Sequence, residues 1–312
     1  MPPTSEGIRQ RVTSKSMDSK VVEKPDDDDK KQLNCNLETI PFSLKPWVSL
    51  RKSLPDVRLC GLNVSVTLFS IAFLFCVRQL AFILFEVNGW PQGTKENYFH
   101  VACICAMGHS TPMILALFQC LLDQPYIPTM KLVESPLYWQ LAADSLLQYC
   151  TGYMIQDSFF TFYRAWVFGE FEPSDILFLG HHFATVSYMT QCRWIGAGYI
   201  STMSCILIGE ISNPVMMVWY ITKDAVESTC CNGPRVATIF RASELVYAFV
   251  YLIARAIFMP GSALQHFYTF FLSGQKNISF FLCVYWYIAI LAVQFGSLDY
   301  IVESWNILTG AF

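Results

Sequence analysis

Ionisable side chains lie inside segments of this chain that are otherwise apolar enough to cross a membrane. The clearest case is the stretch 157–188, which contains Asp157 and the adjacent pair His181 and His182. An ionisable side chain at bilayer depth costs at least about 2.5–3.5 kcal/mol, so such groups usually face a protein-lined cavity and mark a functional path. The stretch therefore predicts a buried polar site within a membrane bundle.

The composition separates a polar N-terminal segment from an apolar remainder. Apolar residues make up 54% of the chain and charged residues 14%, against about 45–50% and about 25% in soluble domains. Residues 1–58 are polar and poor in aromatic residues, and we expect them to form a disordered tail. A first transmembrane helix and loop are expected at 59–97, and the main membrane domain at 98–312. The net charge of −3 argues against nucleic-acid binding, which needs a basic face.

Seven segments have about the length of 20 residues or more that a membrane-spanning helix needs. They predict an all-α polytopic membrane protein, and the predicted spans are 60–85, 98–122, 140–162, 174–191, 195–221, 236–259 and 279–300. The third span is the least apolar because it contains Asp144, Gln148, Gln156 and Asp157. A helix of this kind is stable in a membrane if other helices surround it and it lines a wet interior.

Helical spacing groups the polar residues of the middle spans. Tyr153 and Asp157 are four residues apart and share a helix face. His181 and His182 lie about 100° apart on a helix, so one of them can point at a reactant while the other binds an oxygen on a neighbouring helix. Tyr188 follows His181 by seven residues and returns to the same face.

The fifth and sixth spans contribute further polar positions. Pro214 removes the hydrogen bond to the carbonyl of Glu210, which predicts a kink beside a buried carboxylate. In the sixth span, polar residues recur at steps of three and four on one stripe. The stripe consists of Arg241, Glu244, Tyr247, Tyr251 and Arg255.

These residues favour acyl transfer. A neutral imidazole acts as nucleophile or general base, and Asp157 or Glu210 would hold its tautomer and stabilise the imidazolium. The predicted catalytic residues are His181, His182, Asp157 and Glu210. The predicted substrate-binding residues are His109, Tyr153, Tyr188, Asn213, Arg241, Tyr247 and Tyr251.

Two alternatives stay open at this point. Membrane iron enzymes need several histidine boxes, whereas this chain has five His and a single adjacent pair; we therefore expect no metal and no bound cofactor. The four predicted catalytic side chains could also hydrogen-bond across helices and specify packing without chemistry, since such contacts are worth about 0.6 kcal/mol on average.

Three motifs in order resemble the TLC-domain family of polytopic lipid proteins, which includes the ceramide synthases. They are Gly152, Tyr153 and Asp157; the run LGHHFAT at 179–185; and GEISNP at 209–214. The resemblance covers about residues 98–300 and implies a six-helix barrel around a lipid-accessible cavity, preceded by the first span. It also implies that His181 and His182 serve acyl transfer from acyl-CoA.

The fifth span departs from the ceramide synthases, which have an Asp-rich motif where this chain has Glu210, Ser212, Asn213 and Pro214. This pattern is similar to the non-synthase TLC-domain proteins, which are linked to membrane phospholipid composition and fluidity. We therefore expect a role in membrane lipid homeostasis, in the endoplasmic reticulum or another cellular membrane. The protein is either a fatty-acyl transferase acting on a lipid amine or hydroxyl, or a non-enzymatic lipid-binding regulator. Its expected partners are membrane lipids.

Overall fold

The computed structural model describes residues 37–90, 93–227, 233–273 and 277–310, and nearly all of this chain is helical. A two-residue hairpin, β1 (Arg58–Leu59) and β2 (Leu62–Asn63), precedes the first long helix. The helices are α1 (Lys45–Ser53), α2 (Ser65–Val87), α3 (Lys95–Asp123), α4 (Leu137–Phe168), α5 (Pro173–Ile195), α6 (Tyr199–Glu210), α7 (Asn213–Glu227), α8 (Pro234–Tyr251), α9 (Met259–Phe267), α10 (Phe280–Gly296) and α11 (Leu298–Thr309).

Several of these helices are long and apolar enough to cross a membrane. Within the described residues there are five such stretches by length and composition, at 65–87, 95–123, 199–227, 234–272 and 280–309. Large apolar side chains such as Phe75, Phe183 and Trp305 are exposed on the outside of the bundle, as expected of a surface that faces lipid. The chain is therefore an all-α polytopic membrane protein.

Helices α4 and α5 have the length of a span but not the apolar character. They contain 32 and 23 residues, and their charged and polar side chains keep them outside the set of apolar stretches. The sequence placed the third and fourth spans here, so the count of seven spans remains a prediction. In this bundle α4 is surrounded by α1, α2, α3 and α5, as a polar helix in a membrane requires.

The expected disorder of residues 1–58 is wrong for residues 45–53, which form α1. Leu44, Trp47 and Val48 are buried, and their spacing of three and four residues gives α1 an apolar face. This face packs on α4, where the Trp47 ring meets Tyr149 edge-on at 5.1 Å. The polar average of the segment concealed this short amphipathic pattern. Residues 1–36, including the acidic run at 26–29, lie outside the described residues.

The predicted kink in the fifth span is a complete break. Helix α6 ends at Glu210, and α7 begins at Asn213 with Pro214 in its first turn. A proline is tolerated at this position because the first turn of a helix lacks intrahelical N–H partners. The sixth span is also irregular, since π-helical segments occupy Leu252–Phe258 and Tyr268–Leu272.

Six helical units follow each other in a cyclic order of packing. The units are α3, α4, α5, the α6–α7 pair, the α8–α9 pair and the α10–α11 pair, and α2 packs outside them on α3 and α4. Around the cycle, α3 packs on α4, α4 on α5, α5 on α10, α10 on α9, α8 on α7, and α7 on α3. The six-helix barrel stays a prediction, with which this order of contacts is compatible.

The closest approach of α2 and α4 depends on a glycine. A Cβ built on Gly152 would lie 2.6 Å from the Cβ of Ser70 and 2.7 Å from the backbone oxygen of Thr67. These distances are far below van der Waals contact, and a backbone oxygen cannot move aside as a flexible side chain does. The two helices are therefore as close as they are because residue 152 has no side chain.

We expect Gly152→Ala to destabilise the bundle by about 1–3 kcal/mol, the usual cost of overpacking. Thermal unfolding of the detergent-solubilised protein measures the effect. Gly261→Ala is the matched control, because a Cβ at Gly261 has open space around it. Equal unfolding temperatures for the two variants would show that the packing of α2 on α4 does not require a glycine at position 152.

Candidate functional site

A cavity of about 710 Å³ lies inside the cycle of helices, and all six units contribute to its wall. This volume is within the range of about 300–1,000 Å³ that ligand pockets occupy. Most of the lining side chains are apolar or aromatic, and a smaller polar group includes His181, His182, Glu210 and Arg255. The cavity thus combines room for a hydrocarbon chain with a few groups able to fix a polar head.

His182 is the buried member of the histidine pair and is held by α4. Its side chain is 5% exposed, and its Nδ1 lies 3.2 Å from Ser158 Oγ. Ser158 Oγ donates its own proton to the carbonyl of Met154 at 2.7 Å, so its oxygen is left to accept from His182. We assign the proton of the neutral ring to Nδ1 on this ground, which leaves a lone pair on Nε2.

His181 is half-buried and faces the cavity. Its ring centroid lies 5.8 Å from that of His182, and no side chain in the described part of the chain hydrogen-bonds to it. The difference between the two histidines follows from the rotation of about 100° between adjacent helix positions. His181 is therefore the member of the pair with free nitrogen atoms in the cavity.

Asp157 lines the cavity but pairs with an arginine from outside the cycle. Its Oδ1 lies 2.9 Å from an Nη2 of Arg78, which also donates to Gln156 Oε1 at 3.0 Å and stacks 3.6 Å above the ring of Phe160. No hydrogen bond joins Asp157 to either histidine in the described residues. The predicted contact between this carboxylate and a histidine is thus corrected: Asp157 neutralises Arg78, and its neighbour Ser158 positions His182.

The carboxylate of Glu210 also has partners within the protein. Its Oε2 accepts from Asn213 at 2.8 Å and lies 3.8 Å from His109 Nε2. His109 is fully buried, and its ring stacks on that of Tyr153 with 4.0 Å between the ring centroids. It does not line the cavity. The Glu210 carboxylate therefore faces His109 and not the histidine pair.

The remaining predicted residues divide into two groups. Tyr153, Tyr188, Asn213 and Tyr251 line the cavity, and the hydroxyl of Tyr188 is hydrogen-bonded to Ser201. Arg241 and Tyr247 do not line it, which corrects their prediction as substrate contacts. The Arg241 side chain is 74% exposed and pairs with Glu244. Tyr247 is fully buried and stacks on Trp219 at 4.6 Å.

Three residues of the site were missed by sequence reasoning. Ser158 holds His182, and Arg255 lines the cavity with a hydrogen bond to Ser297. The sequence did contain a signal for Arg255, since an arginine inside a membrane span marks a functional site by default. Ser158 and Ser297 carried no such signal because serine is common at helix interfaces.

A metal site of protein ligands is not formed by the described residues, among which no three His, Cys, Asp or Glu side chains cluster.

The fold and this cavity agree with the comparison to known families. The model of the TLC domain matches residues 100–300, which is more than half of the chain, and the protein therefore belongs to the TLC-domain family. No curated protein and no solved structure matches the chain. The family and the apolar helices together make it an integral membrane protein with a lipid-related role.

We expect Asp157→Asn to lower the stability of the bundle strongly. The substitution leaves Arg78, which is 1% exposed, without a counter-charge, and removing one partner of a buried ion pair costs about 3–5 kcal/mol. A double-mutant cycle with Arg78→Met tests this by unfolding in detergent. The double variant should be more stable than Asp157→Asn alone, and additive losses would contradict the pairing.

Proposed function

We propose that this protein serves membrane lipid homeostasis by transferring a fatty acyl group from acyl-CoA to a lipid amine or hydroxyl bound in the cavity. The observation that carries the proposal is the state of His181, which lines the cavity and has no hydrogen-bond partner among the described residues. A polar side chain that faces a cavity without a protein partner is available to hydrogen-bond a ligand or water. An imidazole presented in this way suits a reacting group.

In this mechanism His181 carries the proton, and His182 lies beside it. His181 takes the proton of the lipid amine or hydroxyl while the new C–N or C–O bond forms at the thioester carbonyl. The C–S bond then breaks, and the departing thiolate of coenzyme A recovers the proton from the imidazolium. His182 keeps its lone pair beside this centre because Ser158 fixes its ring.

The wall of the cavity supports this reaction in two ways. Apolar side chains from six helical units can bury an acyl chain, which is worth about 0.8 kcal/mol for each CH₂ removed from water. The same wall keeps bulk water from the thioester and so limits hydrolysis.

A second function is favoured by a different observation. Asp157 and Glu210 are engaged by Arg78 and Asn213, so neither carboxylate orients His181 as the third member of a triad would. A regulator that binds a lipid without reacting needs no such orientation. The alternative is therefore a non-enzymatic lipid-binding regulator of phospholipid composition and fluidity. In either case we place the protein in the endoplasmic reticulum or another cellular membrane.

The deciding experiment follows coenzyme A release and acyl-lipid formation by the purified protein with acyl-CoA and a mixture of membrane lipids. His181→Ala should lower the rate by about 10²–10⁴-fold, the range typical of general acid–base catalysis. His182→Ala should retain more activity than His181→Ala. Intact-protein and peptide mass spectrometry of the same samples would locate any acyl group carried on a histidine.

His266→Gln is the control, because it removes an imidazole of the same bundle that does not line the cavity. Equal rates in the His181→Ala, His266→Gln and wild-type proteins would exclude the acyl-transfer mechanism. If no variant turns over and all three retain the same co-purified lipid, the regulator is the correct function.

A further inference from the structure

Arg255 differs from the other arginines inside the bundle. Arg78, Arg164 and Arg193 each pair with an aspartate, whereas Arg255 has no carboxylate within ion-pair distance in the described residues. Its side chain is only 8% exposed. A buried charge whose hydrogen-bond partners are all neutral is costly. The nearby carboxylate of Glu210 accepts from Asn213 and makes no ion pair with Arg255, so this cation is open to a further anion.

The hydrogen bonds of Arg255 position its guanidinium and leave it incompletely satisfied. One Nη2–H donates to the backbone oxygen of Gly209 at 3.0 Å. Nη1 reaches Ser297 Oγ at 3.3 Å and the sulfur of Met259 at 3.5 Å. The Nε atom is buried and has no partner. All of these acceptors are neutral, so they hold the group in place and do not compensate its charge.

The backbone around Arg255 is irregular on three sides. Arg255 lies in the π-helical segment Leu252–Phe258. Gly209 stands at the end of α6, where the helix breaks, and Ser297 stands at the break between α10 and α11. Irregular backbone at membrane depth is tolerated where it lines a cavity, and π-helical turns are frequent at functional sites. Three such points therefore converge on one cation.

The same cavity wall contains Arg255, His181 and the apolar side chains. Glu210 is the adjacent carboxylate, but it accepts from Asn213 and faces His109. A ligand that entered the cavity would thus meet a fixed cation and a free imidazole, with an apolar wall around them. A guanidinium can bind a carboxylate or phosphate with two parallel hydrogen bonds.

We infer that Arg255 is the recognition site for an anionic oxygen group, carboxylate or phosphate, of a lipid whose hydrocarbon chain occupies the cavity. The inference rests on the lipid-binding part of the proposed function and not on acyl transfer. It predicts that the protein selects acidic lipids over neutral lipids of the same chain length.

The test is equilibrium binding of two matched pairs of radiolabelled lipids to the purified full-length protein in detergent. Oleate is compared with oleyl alcohol, and oleoyl lysophosphatidate with monooleoylglycerol. We expect the wild type to bind the acidic member of at least one pair about tenfold more tightly, which is 1.4 kcal/mol. Selectivity in the first pair identifies a carboxylate site, and selectivity in the second identifies a phosphate site.

Arg255→Gln should abolish the selectivity and leave the binding of the neutral lipids unchanged. Arg241→Gln is the matched control, since that arginine is exposed outside the cavity, and it should keep the selectivity. No preference in the wild type, or an undiminished preference in Arg255→Gln, would overturn the inference. A loss in Arg241→Gln equal to that in Arg255→Gln would overturn it as well, because it would show a general effect of charge.

Arg255→Lys covers the case in which the glutamine variant no longer binds neutral lipids because the bundle has unfolded. Lysine keeps the charge but not the planar pair of donors, so the preference should fall by at least twofold, and an unchanged preference would contradict the role of Arg255. Because no acyl donor is present, these outcomes are independent of acyl transfer. His181→Ala should keep the selectivity even if it removes turnover.

Discussion

The buried ion pair between Arg78 and Asp157 is the interaction on which the rest of this bundle depends. Helix α4 is too polar to be stable among lipids, and its carboxylate at residue 157 is neutralised by a side chain from α2. The next residue, Ser158, is held by the Met154 carbonyl of the same helix and contacts the ring of His182. The ion pair that stabilises α4 thus lies one residue from the contact that holds His182.

This dependence gives α2 a role that the family match does not describe. The matched TLC domain covers residues 100–300, and Arg78 precedes it. Gly152, in the matched part, lies against Ser70 and Thr67 of α2, and Gln148 accepts from the backbone N–H of Val66 at 3.0 Å. The cavity is formed by the six helical units of the matched region. Helix α2 lies before that region, yet it neutralises Asp157 on α4 and packs closely against Gly152 on the same helix.

The sequence was sufficient for the elements whose signal is local. Pro214 predicts the break after Glu210, and the histidine pair and Tyr153 are found on the cavity wall where their helical spacing places them. The contacts of the carboxylates were not predictable in this way, because the partner of Asp157 is 79 residues away along the chain. Helical spacing puts Arg241 and Arg255 on one stripe, but it does not show which of the two reaches the cavity. The structure shows that Arg255 does. Helix α1 was missed because its three buried apolar residues, Leu44, Trp47 and Val48, have little weight in a polar segment of 58 residues.

The helical breaks near Arg255 have a mechanical consequence. Helices α6–α7, α8–α9 and α10–α11 are each interrupted at a level joined by the hydrogen bonds of this one side chain, whereas α3, α4 and α5 run through without interruption. The irregular points of these helices therefore lie together on one side of the cavity, and the histidine pair lies on the other side. If a lipid occupies the cavity as proposed, we expect differences in the length of its chain to be taken up on this side, while the histidines on α5 keep their positions.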